Sequence, residues 1–477
     1  MKTVPWTLLT GLCLAACTAP PAALPRGLDQ ALAGLLAQPE LAGGRIGVCV
    51  VDAATGERLA GHDDDRGFAT ASNMKLITAA VGLTTLGSEH RTTTELWLRG
   101  EVRDGTLHGE LVLRGHGDPT FGKGEAGRAA FRTFVAALRE RGIHHIAGRI
   151  AGDGSWLGGE HLGLGWQWDY LDEDYAAPFG GLCCRGNVVT VRVRPGDGGA
   201  SVTVEPPLLP VAADLRQVAA GGPTRITVRR GLGAQRIELA GTIAADAPAW
   251  SAAVTVPDAA AFAAAVLTAE LQAAGILVQP APEAAAIGGE PVCIASVPSP
   301  PLHELLRPLL ADSDNLYAEQ VARIAARVAI GDGGTAAMAK HARAVLDGLG
   351  VPTAGMVLAD GSGLSRRDLV QPRQLAAVLL AMHRSPHRAA FVDALPLAGR
   401  SGTLRTRFTA GKAHGRVRAK TGFISRVVCL SGYVPRPDPT AAPLVFSVML
   451  NDFTCDEAAA KGAADAFVQQ LAAAAGW

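Results

Sequence analysis

The segment ATASNMKLITAAVGLTTLG, residues 69 to 87, joins a small polar cluster to an apolar run. Leu76, Ile77, Ala79, Ala80, Val81 and Leu83 leave almost no polar face, which predicts a helix buried in the middle of a domain. Ser72 stands where a helix N-cap would stand, and Lys75 follows three residues later. Residues three apart on a helix share a face, so amine and hydroxyl come within hydrogen-bonding reach. Either Ser72 caps the helix and Lys75 is incidental, or Ser72 is a nucleophile whose proton Lys75 accepts. The pattern S-x-x-K does not decide, because a chain of 477 residues shows on the order of one or two by chance. Yet the chain has only seven lysines, and none of the other six follows a serine at this spacing.

Two distant motifs bear on the choice. Ser313-Asp314-Asn315, in LLADSDNLYAEQV, reads as a loop before a helix. Ser and Asp are favoured caps and Glu319 falls in the first turn, so capping explains it adequately. Its chemical reading has Ser313 relaying a proton, Asn315 holding a substrate amide and Asp314 bracing the loop. Lys420-Thr421-Gly422, in VRAKTGFISRVVCLSGYV, reads as a strand carrying a cation, a hydroxyl and a glycine. Such a strand offers a charge for a substrate carboxylate, a donor, and an edge for an extended peptide. Gly422 lacks the Cβ that would hinder close approach.

Composition excludes little but helps. Lys plus Arg and Asp plus Glu are 44 each, which argues against a nucleic-acid partner. No C-x-x-C occurs, and His303-Glu304 is followed by Arg307 where H-E-x-x-H needs a histidine, so neither metal nor cofactor is expected. A G-x-S-x-G elbow is absent, against an α/β-hydrolase esterase. The start, with a basic residue and the short apolar run VPWTLLTGLCLAA, reads as an export signal over 1–17. Leu14-Ala15-Ala16-Cys17 resembles a lipobox, making Cys17 the lipidation site and 18–27 a Pro-rich tether. A membrane is then met only through that lipid. Export places Cys49, Cys183, Cys184, Cys293, Cys429 and Cys455 in an oxidising compartment, with pairing left open.

The texture of the chain changes twice. RIGVCVVDAATGERLAG predicts two strands joined by a turn, before the opening helix. Short alternating segments between about 91 and 290 predict a β-rich region, with helices at 128–141 and 259–274. Beyond 300, helical spacing dominates NLYAEQVARIAARVAI, TAAMAKHARAVLDGLG, PRQLAAVLLAMHRSP and DEAAAKGAADAFVQQLAAAA, with strands at VRAKTG, RVVCLSGYVP and LVFSVMLN. The expected fold class is α/β (α+β). One catalytic domain is built from 28–90 and 291–477, and 91–290 is a β-rich insertion between the S-x-x-K and S-x-N motifs.

The order S-x-x-K, S-D-N, K-T-G is the signature of the penicillin-binding proteins and β-lactamases. Together with LHGELVLRGHGDPTFG, GWQWDYLDEDYAAPFGGL, ADGSGLSRRDLV and LPLAGRSGTLRTRF, it makes the chain resemble the D-alanyl-D-alanine carboxypeptidase/endopeptidases of the penicillin-binding protein 4 type, peptidase family S13. The long interval from Ser72 to Ser313 resembles these enzymes more than β-lactamases. The resemblance implies a penicilloyl-serine transferase fold and an acyl-enzyme on Ser72. Lys75 would be the base, with its pKa lowered by burial and by Lys420. Ser313, Asn315 and Lys420 complete the catalytic set, and the Ser72 and Phe423 N–H groups form the oxyanion hole. Thr421 and Gly422 join in binding peptidoglycan stem peptides, and β-lactams are covalent inhibitors. Trp166, Tyr175 and Arg366 match residues lining a pocket for the stem peptide's diamino acid. Tyr170 with Asp169, and Phe423 with Ile424, depart from common patterns there. The alternatives are a β-lactamase or esterase on this fold, and an inactive cell-wall-binding homologue.

Overall fold

The computed structural model describes residues 27–231, 233–279 and 289–477. The expected signal, Cys17 and the tether up to residue 26 lie outside the described residues.

Both ends of the chain build one sheet. Its five strands run in the order Arg418–Ile424, Val427–Val434, Leu444–Asn451, Arg45–Asp52 and Arg58–His62, each antiparallel to its neighbour. Every residue of Val427–Val434 and Leu444–Asn451 is buried. Successive side chains of a strand face opposite ways, so two apolar layers must cover these strands. One face carries Val48, Val50, Val428, Leu430, Phe446, Val448 and Leu450 onto helices Leu28–Leu36 and Glu457–Ala474. The other turns Cys49, Val51, Val427, Cys429, Val445 and Met449 toward the helix Met74–Leu86 and the helices around it.

Met74–Leu86 is the predicted central helix. All its residues from Met74 to Leu83 are buried, and it packs on helices Leu302–Leu310, Asn315–Ile330, Thr335–Gly348 and Pro372–Arg384. Burying each large aliphatic side chain contributes about 1.5–3 kcal/mol, which fixes this helix more firmly than its propensity could. Gly82 sets one contact: a Cβ there would lie 2.6 Å from Val321 Cγ1, so the two helices meet through its bare Cα.

The middle of the chain forms a five-stranded sheet in the order Leu277–Gln279, His145–Asp153, Thr106–Gly115, Thr93–Arg103 and Val292–Pro298. Two three-stranded sheets, Val211–Val218 with Ile237–Ala244 and Arg225–Arg229, and Trp250–Thr255 with Val188–Arg194 and Ser201–Glu205, share a core with it. Helices Gly124–Glu140 and Ala259–Ala273 pack there, close to their expected spans. Because Val292–Pro298 hydrogen-bonds to Thr93–Arg103, the sheet of the inserted segment runs past the boundary drawn at 291.

Among the described residues, none of the six cysteines forms a disulfide. Cys49 and Cys429 sit on strands that flank Leu444–Asn451, opposite Ser447 and Met449. Two strand spacings, about 10 Å, exceed what a disulfide spans. No helix among the described residues is long and apolar enough to cross a membrane.

Candidate active site

Ser72 does not cap the helix. It lies in a short 3-10 turn, Ala71–Asn73, and the α-helix begins at Met74 with Asn73 before it and no side-chain cap. Ala71 takes a left-handed φ of 42°, turning the chain just before Ser72. A Cβ on Gly363 would lie 1.8 Å from the Ala71 carbonyl, so a glycine there backs this turn closely. Ser72 Oγ is free to serve Lys75 instead, whose Nζ donates to it at 3.0 Å.

Lys75, the second residue of the helix, is fully buried. Its Nζ also donates to Asn315 Oδ1 at 2.5 Å and to the Ser362 carbonyl at 2.8 Å. Burial lowers its pKa to about 8, against the opposing pull of Asp360, Asp314 and Glu319. Lys420, expected to add to this shift, is not among its causes. Burial first and the Lys75 charge second hold the Lys420 amine well below the usual lysine range.

Lys420 Nζ donates to Ser313 Oγ and to the Thr421 carbonyl, both at 2.9 Å. Ser313 reaches it from a left-handed φ of 66°, a conformation costing about 1–2 kcal/mol for an L residue. Asp314 does brace the loop: its side chain caps Asn315–Ile330 by accepting from the Tyr317 N–H at 3.2 Å. The three motifs thus meet, with Ser72, Lys75 and Asn315 on one side and Ser313 and Lys420 on the other.

The Arg418–Ile424 strand is at the sheet edge. Its Ala419 N–H donates outward to the Pro396 carbonyl at 3.2 Å. Alternation then points the Thr421 and Phe423 N–H groups out of the same edge. Gly422 has a different reason to be glycine from the one expected. A Cβ there would lie 3.0 Å from both Asn73 Nδ2 and the Thr70 carbonyl, so it lets the strand lie against the Ser72 turn. Asn73 Nδ2 donates to the Lys420 carbonyl at 3.1 Å and holds the two together. Thr421 Oγ1 donates to Thr403 Oγ1 at 2.8 Å, bringing the GRSGT segment to the site.

The remaining expected residues are held in different ways. The Tyr175 carbonyl accepts from Asn315 Nδ2 at 2.7 Å, while its exposed ring meets Tyr170 edge-on at 5.7 Å. Arg366 ties its loop to the K-T-G hairpin by donating to the Ser425 carbonyl at 2.5 Å. Phe423 is exposed, and Lys461 Nζ stands 4.5 Å above its ring. Trp166 is half-buried, with its ring edge-on to Phe179 at 5.8 Å and its Nε1–H donated to Asp360 Oδ2 at 2.9 Å.

Asp360, Ser362 and Glu319 escaped sequence reasoning. Glu319 was explained as a first-turn acid. It is instead fully buried, and its Oε1 accepts from the Gly361 and Ser362 N–H groups at 3.0 and 2.9 Å. Arg323, also fully buried, stands 3.6 Å from Glu319 Oε2. The signal for Asp360 and Ser362 was the ADGSGLS segment, visible only as a resemblance.

The chain matches the family described as the D-Ala-D-Ala carboxypeptidase 3 (S13) family over residues 28–474. It is 33% identical over 451 residues to a D-alanyl-D-alanine carboxypeptidase of Actinomadura sp., covering 89% of this chain and 81% of that protein. It is 25% identical over 413 residues to the D-alanyl-D-alanine carboxypeptidase DacB of Haemophilus influenzae, covering 82% of each. The crystal structure of penicillin binding protein 4 (dacB) from Haemophilus influenzae superposes with a TM-score of 0.77 over 93% of this chain and 98% of that one. Sequence identity in that superposition is 22%, so the likeness is one of fold.

Proposed function

The chain belongs to the D-Ala-D-Ala carboxypeptidase 3 (S13) family, and on that footing we propose that it is a serine-type D-Ala-D-Ala carboxypeptidase working through an acyl-enzyme on Ser72. The observation that carries this reading is the buried Lys75 amine, held 3.0 Å from Ser72 Oγ with its pKa lowered to about 8. An amine so placed can take the hydroxyl proton near neutral pH, as a lysine at its ordinary value could not.

The substrate is a peptidoglycan stem peptide ending in D-Ala-D-Ala, and the reaction runs in two halves. Ser72 Oγ attacks the penultimate D-Ala carbonyl as Lys75 takes its proton. The Ser72 and Phe423 N–H groups receive the oxyanion, an interaction worth several kcal/mol when preorganised. The terminal carboxylate lies by Lys420 and Thr421. Its negative charge raises the pKa of Lys420 and favours the cation that binds it. As the C–N bond breaks, the proton that Lys75 took from Ser72 passes through Ser313 to the D-Ala amine, which leaves Lys75 neutral again as D-Ala departs. Water then attacks the ester, with Lys75 as base again, and the shortened peptide leaves Ser72 free.

A cross-link is also a bond to a D-Ala carbonyl, so the reading includes DD-endopeptidase activity by the same steps. In a β-lactam the ring nitrogen is the leaving group and stays tethered, so the acyl-enzyme persists and the drug inhibits. We place 28–90 and 299–477 in the catalytic unit, since Val292–Pro298 belongs to the sheet of the insertion, with Trp166, Tyr175 and Arg366 carried to its site by the insertion and the 359–370 loop. The site of action is the cell envelope after export, with a lipid on Cys17 as the anchor.

Incubation with purified pentapeptide tests the reading. The expected products are one D-Ala and one tetrapeptide per turnover, and cross-linked dimers are expected to yield monomers. Pentapeptide left intact by a protein that hydrolyses penicillin rapidly would overturn it in favour of a β-lactamase.

A further inference from the structure

Two of the acceptors that hold Lys75 Nζ, Asn315 Oδ1 and the Ser362 carbonyl, each lead back to the inserted segment. Asn315 turns its Nδ2 to the Tyr175 carbonyl at 2.7 Å. Ser362 belongs to a tight loop folded around the Asp360 carboxylate, which is 1% exposed. That carboxylate accepts from Gly363 N–H at 2.6 Å, Ser365 N–H at 2.7 Å and Ser362 Oγ at 3.2 Å. Trp166 Nε1, from the inserted segment, donates to it too, and the buried Asp368, which burial first and Asp360 second push well above the usual carboxylate range, stands beside it. Ser365 Oγ adds a second tie by donating to the Leu164 carbonyl at 2.7 Å. The indole is folded back on its own loop, since a Cβ on Gly163 would lie 2.1 Å from Nε1.

We propose that Trp166 is a positioning residue for Lys75, acting through the Asp360 carboxylate and the Ser362 carbonyl. This rests on the acyl-enzyme reading but differs from the pocket-lining role that resemblance implies. A side chain that only lined a specificity pocket would leave its N–H to the substrate or to water. Here the N–H joins the donor set of a buried carboxylate, and the loop built on that carboxylate presents the Ser362 carbonyl to the base. Asp360, Asp314 and Glu319 face Lys75 from the acidic side and Lys420 from the basic side, so a shifted loop changes both the direction of the amine and the charge around it. The insertion thereby completes the catalytic geometry as well as the substrate cleft.

The test is acylation of Ser72 by 6-aminopenicillanic acid, a β-lactam with no acyl side chain to occupy a specificity pocket. In Trp166→Phe the ring remains and the donor is lost. The acylation rate constant at saturating probe is expected to fall about tenfold, the loss of one hydrogen bond to a charged group, with half-saturation unchanged. Gly163→Ala keeps the indole but displaces it, and the same loss is expected; it keeps the proposal testable if the phenylalanine variant does not fold. Unchanged acylation by this probe in folded variants, with a raised KM for pentapeptide alone, would overturn the proposal in favour of pocket lining. No acylation of the wild type would instead overturn the acyl-enzyme reading, and this proposal with it.

Discussion

Ser72→Ala is expected to leave a folded protein that releases no measurable D-Ala, with turnover reduced at least about 10⁴-fold. Fold and chemistry separate cleanly here. The hydroxyl's hydrogen bond among the described residues is with Lys75, which keeps Asn315 Oδ1 and the Ser362 carbonyl as acceptors. Ser72 is half-buried and sits in a turn that its side chain does not cap, so alanine leaves neither a large cavity nor a lost cap. The melting temperature should therefore stay within a degree or two, roughly the shift expected of a change below 0.5 kcal/mol. Turnover measured on pentapeptide and a thermal melt on the same preparation check both halves. Substantial D-Ala release by this variant would mean that another nucleophile does the work.

Lys75→Met should cost about 10³-fold in acylation and remove its pH dependence. The base works as a neutral amine, and its folded pKa of about 8 lies below the ordinary 10.5. Wild-type acylation is thus expected to rise with pH up to about 8 and then level off. Methionine fills the space of the alkyl stem without a titrating group, so the variant's small residual rate should show no such rise. Stability offers a second readout. Between about 8 and 10.5 the unfolded chain holds a proton on Lys75 that the folded protein does not, so folding gains stability as pH rises through that window. The wild type should gain on the methionine variant across that interval. A parallel pH response in the two proteins would show that Lys75 is not the group being titrated.

What the sequence made legible follows physical range. S-x-x-K sits within one helical turn, so its geometry is fixed locally and Lys75 arrives beside Ser72 as read. The apolar run from Leu76 to Leu83 announced burial on all sides, which the central helix displays. The role of Asp360 was not legible, because nothing near it in sequence says that Trp166, from another part of the chain, is among its donors. Glu319 was misread for a related reason. It is the fifth residue of Asn315–Ile330, past the first turn where an acid complements the helix dipole, and only the arrival of the 361–362 amides and Arg323 makes its buried carboxylate tenable. Gly422 shows the same limit: close approach was the correct inference, but the approaching group is the Ser72 turn.

The central claim, that Ser72 becomes acylated, is tested most directly by mass spectrometry of the intact wild-type protein after exposure to benzylpenicillin, followed by mapping of the modified peptide. A persistent adduct equal to one whole penicillin, located on Ser72, is the predicted result. An adduct on any other residue, rapid penicillin turnover with no adduct, or an unmodified protein beside intact penicillin would contradict it.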